Sequence, residues 1–173
     1  MDLAGILKEK QSTVNRDLIV NYVGSSPARM DELMKLFFSK DLRVCQNASW
    51  PMTHIGDKYP KLILPYFEEM LHKLKTPQHD AVLRNTLRIW QQMDIPEKYE
   101  GTVYELCFKF LANYDRPPAV RAFSIGILSN LADKFPDLKS ELIDLLEEVY
   151  PHGTPGLKNK AKKTILHLRK NTK

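Results

Sequence analysis

A two-helix pattern that returns at nearly constant spacing constrains this chain more than any other feature of its sequence. A basic residue stands early in each first helix, at Arg43, Arg84, Arg121 and Lys158, which gives intervals of 41, 37 and 37 residues. A lysine followed by an aromatic residue marks the turn within three of the pairs: Lys58-Tyr59, Lys98-Tyr99 and Lys134-Phe135. Each pair alone has too small an apolar face to be stable, so the pattern predicts stacked helix pairs with one continuous core.

The stretch from Arg116 to Tyr150 shows one complete pair with both boundaries marked. Its first helix follows Pro117-Pro118, and its apolar residues recur at steps of three and four: Val120, Phe123, Ile127, Leu131 and Phe135. After Pro136 a second helix repeats this periodicity with Leu138, Leu142, Leu145, Leu146 and Val149. Apolar residues at this spacing form one face of an amphipathic helix, so we predict a helical hairpin.

Similar pairs account for most of the remaining sequence. We predict helix pairs at about 12–39, 41–75, 78–114 and 117–150, followed by a capping helix at 155–170. Gly24 suits the left-handed position after a helix, and Ser26 with Pro27 supplies a cap and a first-turn proline for the next helix. Pro77 restarts the chain in the same way. Pro51 falls inside a predicted helix, where its missing N–H predicts a bend.

Composition places the chain among soluble globular proteins. Of its 173 residues, 43% are hydrophobic and 27% are charged, and a chain of this length suits one domain over residues 1–173. It has no run of 18 apolar residues, and its first residues lack the pattern of a signal peptide, so we expect a cytoplasmic protein without a membrane span. Cys45 and Cys107 fall within apolar helical patterns and are predicted to be free, buried thiols.

A two-helix repeat of 37 to 41 residues with an early basic residue, a proline inside one first helix and a lysine-aromatic turn resembles HEAT repeats, with armadillo repeats as near kin. The resemblance covers roughly residues 12 to 170 and is closest to short bacterial HEAT-like proteins. It implies an all-α, right-handed α-α superhelix of about four stacked hairpins plus a terminal basic helix. Tetratricopeptide repeats fit less well because their period is 34 residues, and an ordinary helical bundle is the alternative.

In HEAT repeats the second helices line a concave face, so the resemblance directs attention to their polar residues. These are mainly acidic, and they define the predicted groove: Glu68, Glu69, His72, Glu105, Lys109, Glu141, Asp144 and Glu148. Carboxylates along a groove suit a basic or amphipathic peptide, and they oppose binding of DNA phosphates there. The resemblance therefore predicts a scaffold that binds an unidentified protein or peptide, while a solvated helix face is the alternative.

The basic charge of the chain is concentrated at its C-terminal end. Residues 151–173 hold seven lysines or arginines and no acid, and since the whole chain carries +5, the first 150 residues carry −2. The residues concerned are Lys158, Lys160, Lys162, Lys163, Arg169, Lys170 and Lys173. They suit either a solvated capping helix or contacts with nucleic acid or another anionic partner. No aromatic residue interleaves with these lysines, so the helix lacks a stacking platform for single strands.

Enzymatic interpretations of the sequence are weaker than the scaffold interpretation. Trp90 and Asp94 resemble the tryptophan and aspartate of HEAT-like DNA alkylation-repair glycosylases, but Trp90 continues an apolar stripe and is predicted to be a core residue. Gly24-Ser25-Ser26 resembles the loop opening of fumarase-type lyases for those three residues alone. The five histidines have no metal-ligand spacing. We therefore predict no enzyme, no cofactor and no metal site.

Overall fold

The computed structural model describes residues 1–76 and 79–170 and contains no strand within those ranges. The α-helices are α1 Leu3–Lys8, α2 Thr13–Val23, α3 Pro27–Phe37, α4 Leu42–Lys58, α5 Phe67–Leu74, α6 Asp80–Trp90, α7 Glu100–Ala112, α8 Pro118–Lys134, α9 Lys139–Val149 and α10 Pro155–Lys170. Short 3-10 turns lie at Pro60–Leu62, Leu64–Tyr66, Glu97–Tyr99, Pro136–Leu138 and Tyr150–His152. The predicted all-α fold is confirmed. Pro77, Gln78 and Lys173, which belong to the predictions above, lie outside the described residues.

Local side-chain chemistry sets the ends of several helices. Gly24 follows α2 with a φ of 50°, the left-handed conformation that favours glycine. The Ser26 hydroxyl accepts a hydrogen bond from the Arg29 N–H at 3.4 Å, and Pro27 is the first residue of α3. The Asp41 carboxylate accepts from two N–H groups at the start of α4, at 3.0 and 3.2 Å. The predicted stop and restart at residues 24–27 is therefore confirmed.

Two compact units divide the chain, Met1–Gln92 and Met93–Lys173. In the first unit, α4 packs against α1, α2, α3 and α6. Its buried side includes Val44, Ala48, Met52 and Ile55, each at most 2% exposed. Pro51 lies inside this helix, as predicted.

In the second unit, α8 is central and packs against α7, α9 and α10. Its apolar residues Val120, Ile127 and Leu131 are buried, whereas Phe135, which the periodicity placed on the same face, follows the helix end and is 40% exposed. The helices of the pair predicted at 78–114 belong to different units. Their pairing, and the single domain over residues 1–173, stay predictions.

Of the four basic residues that occur early in the first helices, all of which lie in the described ranges, Arg121 is the buried one. Arg121 is 4% exposed, whereas Arg43 and Arg84 are exposed and Lys158 is half-buried. The Arg121 Nε donates to the carbonyl of Leu111 at 2.9 Å. Burial lowers the pKa of the Arg121 guanidinium. One repeated sequence position therefore serves two purposes, a solvated charge at Arg43 and Arg84 and a buried hydrogen-bond donor at Arg121.

Candidate functional site

All eight residues of the predicted acidic groove are exposed on their helices. Glu68, Glu69 and His72 lie on α5 in the first unit. The second unit carries the other five, with two on α7 and three on α9: Glu105, Lys109, Glu141, Asp144 and Glu148. Because the two sets belong to different units, a groove that joins them stays a prediction.

A concavity of about 490 Å³ lies along α9 in the second unit and is named the α9 groove. Its lining residues are Phe108, Asp137, Ser140, Glu141, Asp144, Leu145 and Glu148. The four acidic residues are separated by four, three and four positions, which places them on one face of the helix and the turn before it. Among the described residues, neither lysine nor arginine lines this groove. It therefore combines an apolar floor with a wall of negative charge.

The carboxylates of α9 and of the turn before it fall into two groups. On the side facing α10, Glu147 accepts from the Arg169 guanidinium at 2.5 Å. On the groove side, Asp137, Asp144 and Glu148 form no ion pair with any residue in the ranges 1–76 and 79–170. Like charges on one helix face repel one another by a few tenths of a kcal/mol per pair. A cationic ligand would relieve that repulsion.

Tyr104 on α7 holds one groove carboxylate in place. Its hydroxyl donates to Glu141 Oε2 at 3.2 Å. Burial, the negative charge of Glu141 and this hydrogen bond, in that order, raise the pKa of the Tyr104 hydroxyl well above its usual value. The hydroxyl therefore stays protonated at neutral pH and is a hydrogen-bond donor to Glu141.

A second concavity, of about 260 Å³, adjoins the groove and is named the Gly101 pocket. Its lining residues are Glu97, Glu100, Gly101, Tyr104, Leu131, Phe135 and Leu138. Tyr104 belongs to this pocket and also contacts Glu141 of the α9 groove. The rings of Tyr104 and Phe108 lie 5.8 Å apart between centroids, so one aromatic surface runs from the pocket into the groove.

The rim of the Gly101 pocket is acidic and only partly neutralised. Glu100 is 7% exposed and accepts from the Lys134 ammonium at 2.5 Å. That hydrogen bond is the largest cause of a raised pKa for Lys134, with smaller contributions from the charges of Glu100, Glu97 and Asp94. The ammonium also lies 5.5 Å from the ring centroid of Phe135. Lys134 thus pairs with Glu100 beside the cavity, and the charges of Glu97 and Asp94 add to the rise of its pKa.

The basic residues of α10 differ in their surroundings. Arg169 is engaged by Glu147, and the His167 ring lies 2.7 Å from the Asp133 carboxylate. The other predicted anion contacts are lysines that form no ion pair within the described part of the chain: Lys158 and Lys160, which are half-buried, and Lys162, Lys163 and Lys170, which are exposed. Arg169 is therefore less available to an external anion than the sequence alone suggested.

The two tryptophans occupy different environments in the first unit. Trp90 is fully buried and stacks on Phe67 with the ring centroids 4.3 Å apart, so its predicted place in the core is confirmed. A tryptophan that stacks on a nucleic-acid base must be accessible, and the comparison of Trp90 with a glycosylase residue loses its basis. Trp50 is half-buried, with the Arg16 guanidinium 4.8 Å from its ring centroid.

Other site types receive no support from the part of the chain that the structure describes. Residues 1–76 and 79–170 contain no cluster of three or more His, Cys, Asp or Glu side chains able to hold a metal ion. Within the same ranges no helix is both long and apolar enough to span a membrane. Cys45 and Cys107 are free and buried, as predicted. Burial raises the pKa of both thiols, that of Cys107 to about 12.

Sequence reasoning missed several residues that shape the site. Three of them lie on one face of α7 at steps of three and four: Gly101, Tyr104 and Phe108. This spacing predicts a helix face, but it does not predict which neighbouring helix that face contacts. Asp137 precedes α9 by two residues and is absent from the predicted groove. Glu105 and Lys109, which belong to the predicted groove, do not line the α9 groove.

Comparison with known proteins supports the fold and the family. The family model of the HEAT repeat domain matches residues 3–168. A crystal structure of an engineered protein from the Northeast Structural Genomics Consortium aligns with a TM-score of 0.59 and 16% sequence identity, covering 98% of this chain and 88% of that one. At this identity the likeness concerns the fold alone. Among curated proteins, none matches this sequence. The match over nearly the whole chain shows that the protein belongs to the HEAT repeat domain family.

Proposed function

We propose that this chain is a non-enzymatic interaction module of the cytoplasm that binds a basic protein or peptide through the α9 groove. HEAT repeat domains typically act as scaffolds that bind protein partners. The observation that supports this particular partner class is the composition of the groove wall, in which four carboxylates surround Phe108 and Leu145 without a lysine or arginine among the described lining residues. The two buried free thiols suit a reducing compartment.

The exposed residues Glu68, Glu69 and His72 of α5 stay separate candidate contacts in the first unit. They share the negative character of the α9 groove. The α9 groove and the Gly101 pocket both combine carboxylates with apolar lining residues in the second unit, and they support the proposal.

A labelled basic peptide tests the proposal. The probe is a fluorescein-labelled peptide of about twelve residues in which lysines alternate with serines, titrated with the intact chain and followed by anisotropy. Asp144→Lys should weaken its binding about tenfold. The change removes an attraction to a peptide lysine and adds a repulsion, and each of these is about 1 kcal/mol or less at the contact distance in water. Asp115→Lys is the matched control, since Asp115 is also exposed and lies outside the α9 groove.

Equal weakening by both variants would mean that the peptide responds to net charge alone, and the groove would lose its assigned role. Binding should also weaken from 50 to 200 mM salt, since exposed ion pairs are screened over roughly 10 Å.

A second candidate function is binding of nucleic acid through α10, supported by the exposed and unpaired Lys162, Lys163 and Lys170. Three phosphate contacts would make the logarithm of the binding constant fall with the logarithm of salt concentration, with a slope of about −2 to −3. Anisotropy of a labelled duplex against the intact chain and a Lys162→Ala/Lys163→Ala variant measures this slope. Loss of about two units of slope in the variant would favour this function, and no binding at 50 mM salt would remove it.

A further inference from the structure

The Gly101 pocket is a largely apolar cavity beside a charged groove, and no side chain among residues 1–76 and 79–170 fills it. Leu131 at its base is 4% exposed, while Phe135 at its edge remains 40% exposed. A ligand side chain in the cavity would cover the exposed ring of Phe135, and this burial of apolar surface would favour binding. The pocket therefore has the character of a site for an apolar group.

Gly101 leaves the mouth of this pocket open. It is the second residue of α7, and a Cβ placed on it would meet no heavy atom within 4 Å. Glycine is a poor helix former, and no neighbouring atom of the protein requires the small residue at this position. The free space above Gly101 allows the backbone of a bound chain to approach α7 closely.

The negative charge around the pocket indicates that the rest of the bound peptide is basic. Glu97 is exposed at the rim, and Asp137 of the α9 groove immediately precedes Leu138 of the pocket. From Leu138 to Glu148 the helix rises about 15 Å at 1.5 Å per residue. An extended peptide covers that distance in about five residues, at roughly 3.3 Å each.

We propose that the Gly101 pocket binds one leucine-sized apolar side chain of a peptide whose lysines or arginines lie within about five residues of it and contact the α9 groove. This inference rests on the proposed function and specifies the partner: a basic segment with one apolar anchor. The apolar side chain supplies burial in the pocket, and the cations supply attraction to Asp144 and Glu148.

Two pairs of probe peptides test the anchor. Each peptide is labelled with fluorescein and has about twelve residues, in which lysines alternate with serines. One pair carries a single leucine or alanine near the N-terminus, and the other pair carries it near the C-terminus. With the intact chain, one leucine peptide should bind tenfold to a hundredfold more tightly than its alanine counterpart, which is the range expected for burying one leucine side chain.

Gly101→Leu should remove the leucine advantage, because the new side chain occupies the mouth of the pocket, so the leucine and alanine peptides should bind this variant equally. Gly156→Leu is the matched control. Gly156 is the second residue of α10, and a Cβ there also meets nothing within 4 Å, but it does not line the pocket. Phe135→Ala gives a second test from the opposite edge and should lower the advantage without a change in far-UV circular dichroism.

The outcomes separate this inference from the proposed function. Equal binding of the leucine and alanine peptides, with sensitivity to Asp144→Lys retained, would overturn the anchor and leave the basic-partner proposal intact. A leucine advantage that survives Gly101→Leu would also overturn it. A dimer in sedimentation that dissociates in the Gly101→Leu variant would make a second copy of the chain the occupant and refute the peptide assignment. Absence of binding by every peptide would overturn both proposals.

Discussion

Adding one methyl group at Gly56 should destabilise the first unit, although alanine is the better helix former. Gly56 is buried inside α4, and a Cβ at this position would lie 3.0 Å from Cγ2 and 3.1 Å from Cγ1 of Ile89. Ile89 belongs to α6 and is 2% exposed. The two helices therefore approach each other at the surface of the glycine, and Ile89 must move before a methyl group fits.

The size of the effect follows from two opposing contributions. Replacing glycine by alanine within a helix stabilises by up to about 1 kcal/mol. Inserting a methyl group into a packed core costs about 1–3 kcal/mol, and the branched, buried Ile89 has few alternative rotamers. The expected net loss for Gly56→Ala is about 1 kcal/mol. Gly101→Ala in the second unit meets no atom within 4 Å, so the helical preference acts alone and the variant should gain a few tenths of a kcal/mol.

Urea unfolding followed by tryptophan fluorescence measures this loss in the correct unit, because Trp50 and Trp90, the two tryptophans of the chain, both belong to the first unit. With a urea dependence of about 1–3 kcal/mol per molar, the midpoint for Gly56→Ala should fall by roughly 0.5 M. A midpoint equal to or above that of the unmodified chain would refute the close approach of α4 and α6 at Gly56.

Three further predictions concern two buried side chains, Trp90 and Cys107, and the half-buried Tyr104. Trp90→Ala should cost about 3–5 kcal/mol in urea unfolding followed by circular dichroism, because it removes the stacking on Phe67 and leaves a cavity; a cost below 1 kcal/mol would contradict this burial. Because burial raises the pKa of Cys107 to about 12, DTNB at pH 8 should label this thiol only after unfolding, and rapid labelling of folded protein would oppose it. Burial, together with the charge and hydrogen bond of Glu141, raises the pKa of Tyr104, and the stability that this shift contributes is complete below about pH 10 and is lost as pH rises further. Tyr104→Phe should therefore make the decline of the urea midpoint between about pH 9 and pH 11 shallower, and identical declines would disprove the raised pKa.

The repeat could be predicted from the sequence because its signals are local. The lysine-aromatic pairs that indicated the period are close contacts in all three turns. The distance from the ammonium to the ring centroid is 5.3 Å for Lys58 and Tyr59, 4.5 Å for Lys98 and Tyr99, and 5.5 Å for Lys134 and Phe135. Each cation and ring are adjacent in sequence, so the same dipeptide can produce the same contact wherever the turn recurs.

The site could be predicted only in part, because a groove depends on which helix faces meet. Helical spacing placed Glu141, Asp144 and Glu148 on one side of α9, and these residues do line the α9 groove. The same reasoning selected Glu105 from α7, whereas the residue of α7 that reaches the groove is Phe108. Periodicity defines a face relative to its own helix, and the packing of α7 against α9 decides which part of that face lies beside the neighbouring carboxylates.

The most direct test of binding through the α9 groove is a map of backbone amide shifts in the ¹⁵N-labelled chain on titration with the lysine-serine peptide that carries one leucine. Binding at this groove predicts the largest changes on α7 and α9, at Tyr104, Phe108 and Asp144, saturating together at one affinity. Changes concentrated on α10 or on α5 would contradict it. The absence of changes at peptide concentrations up to about 1 mM would also contradict it, since the binding free energy would then be weaker than about −4 kcal/mol.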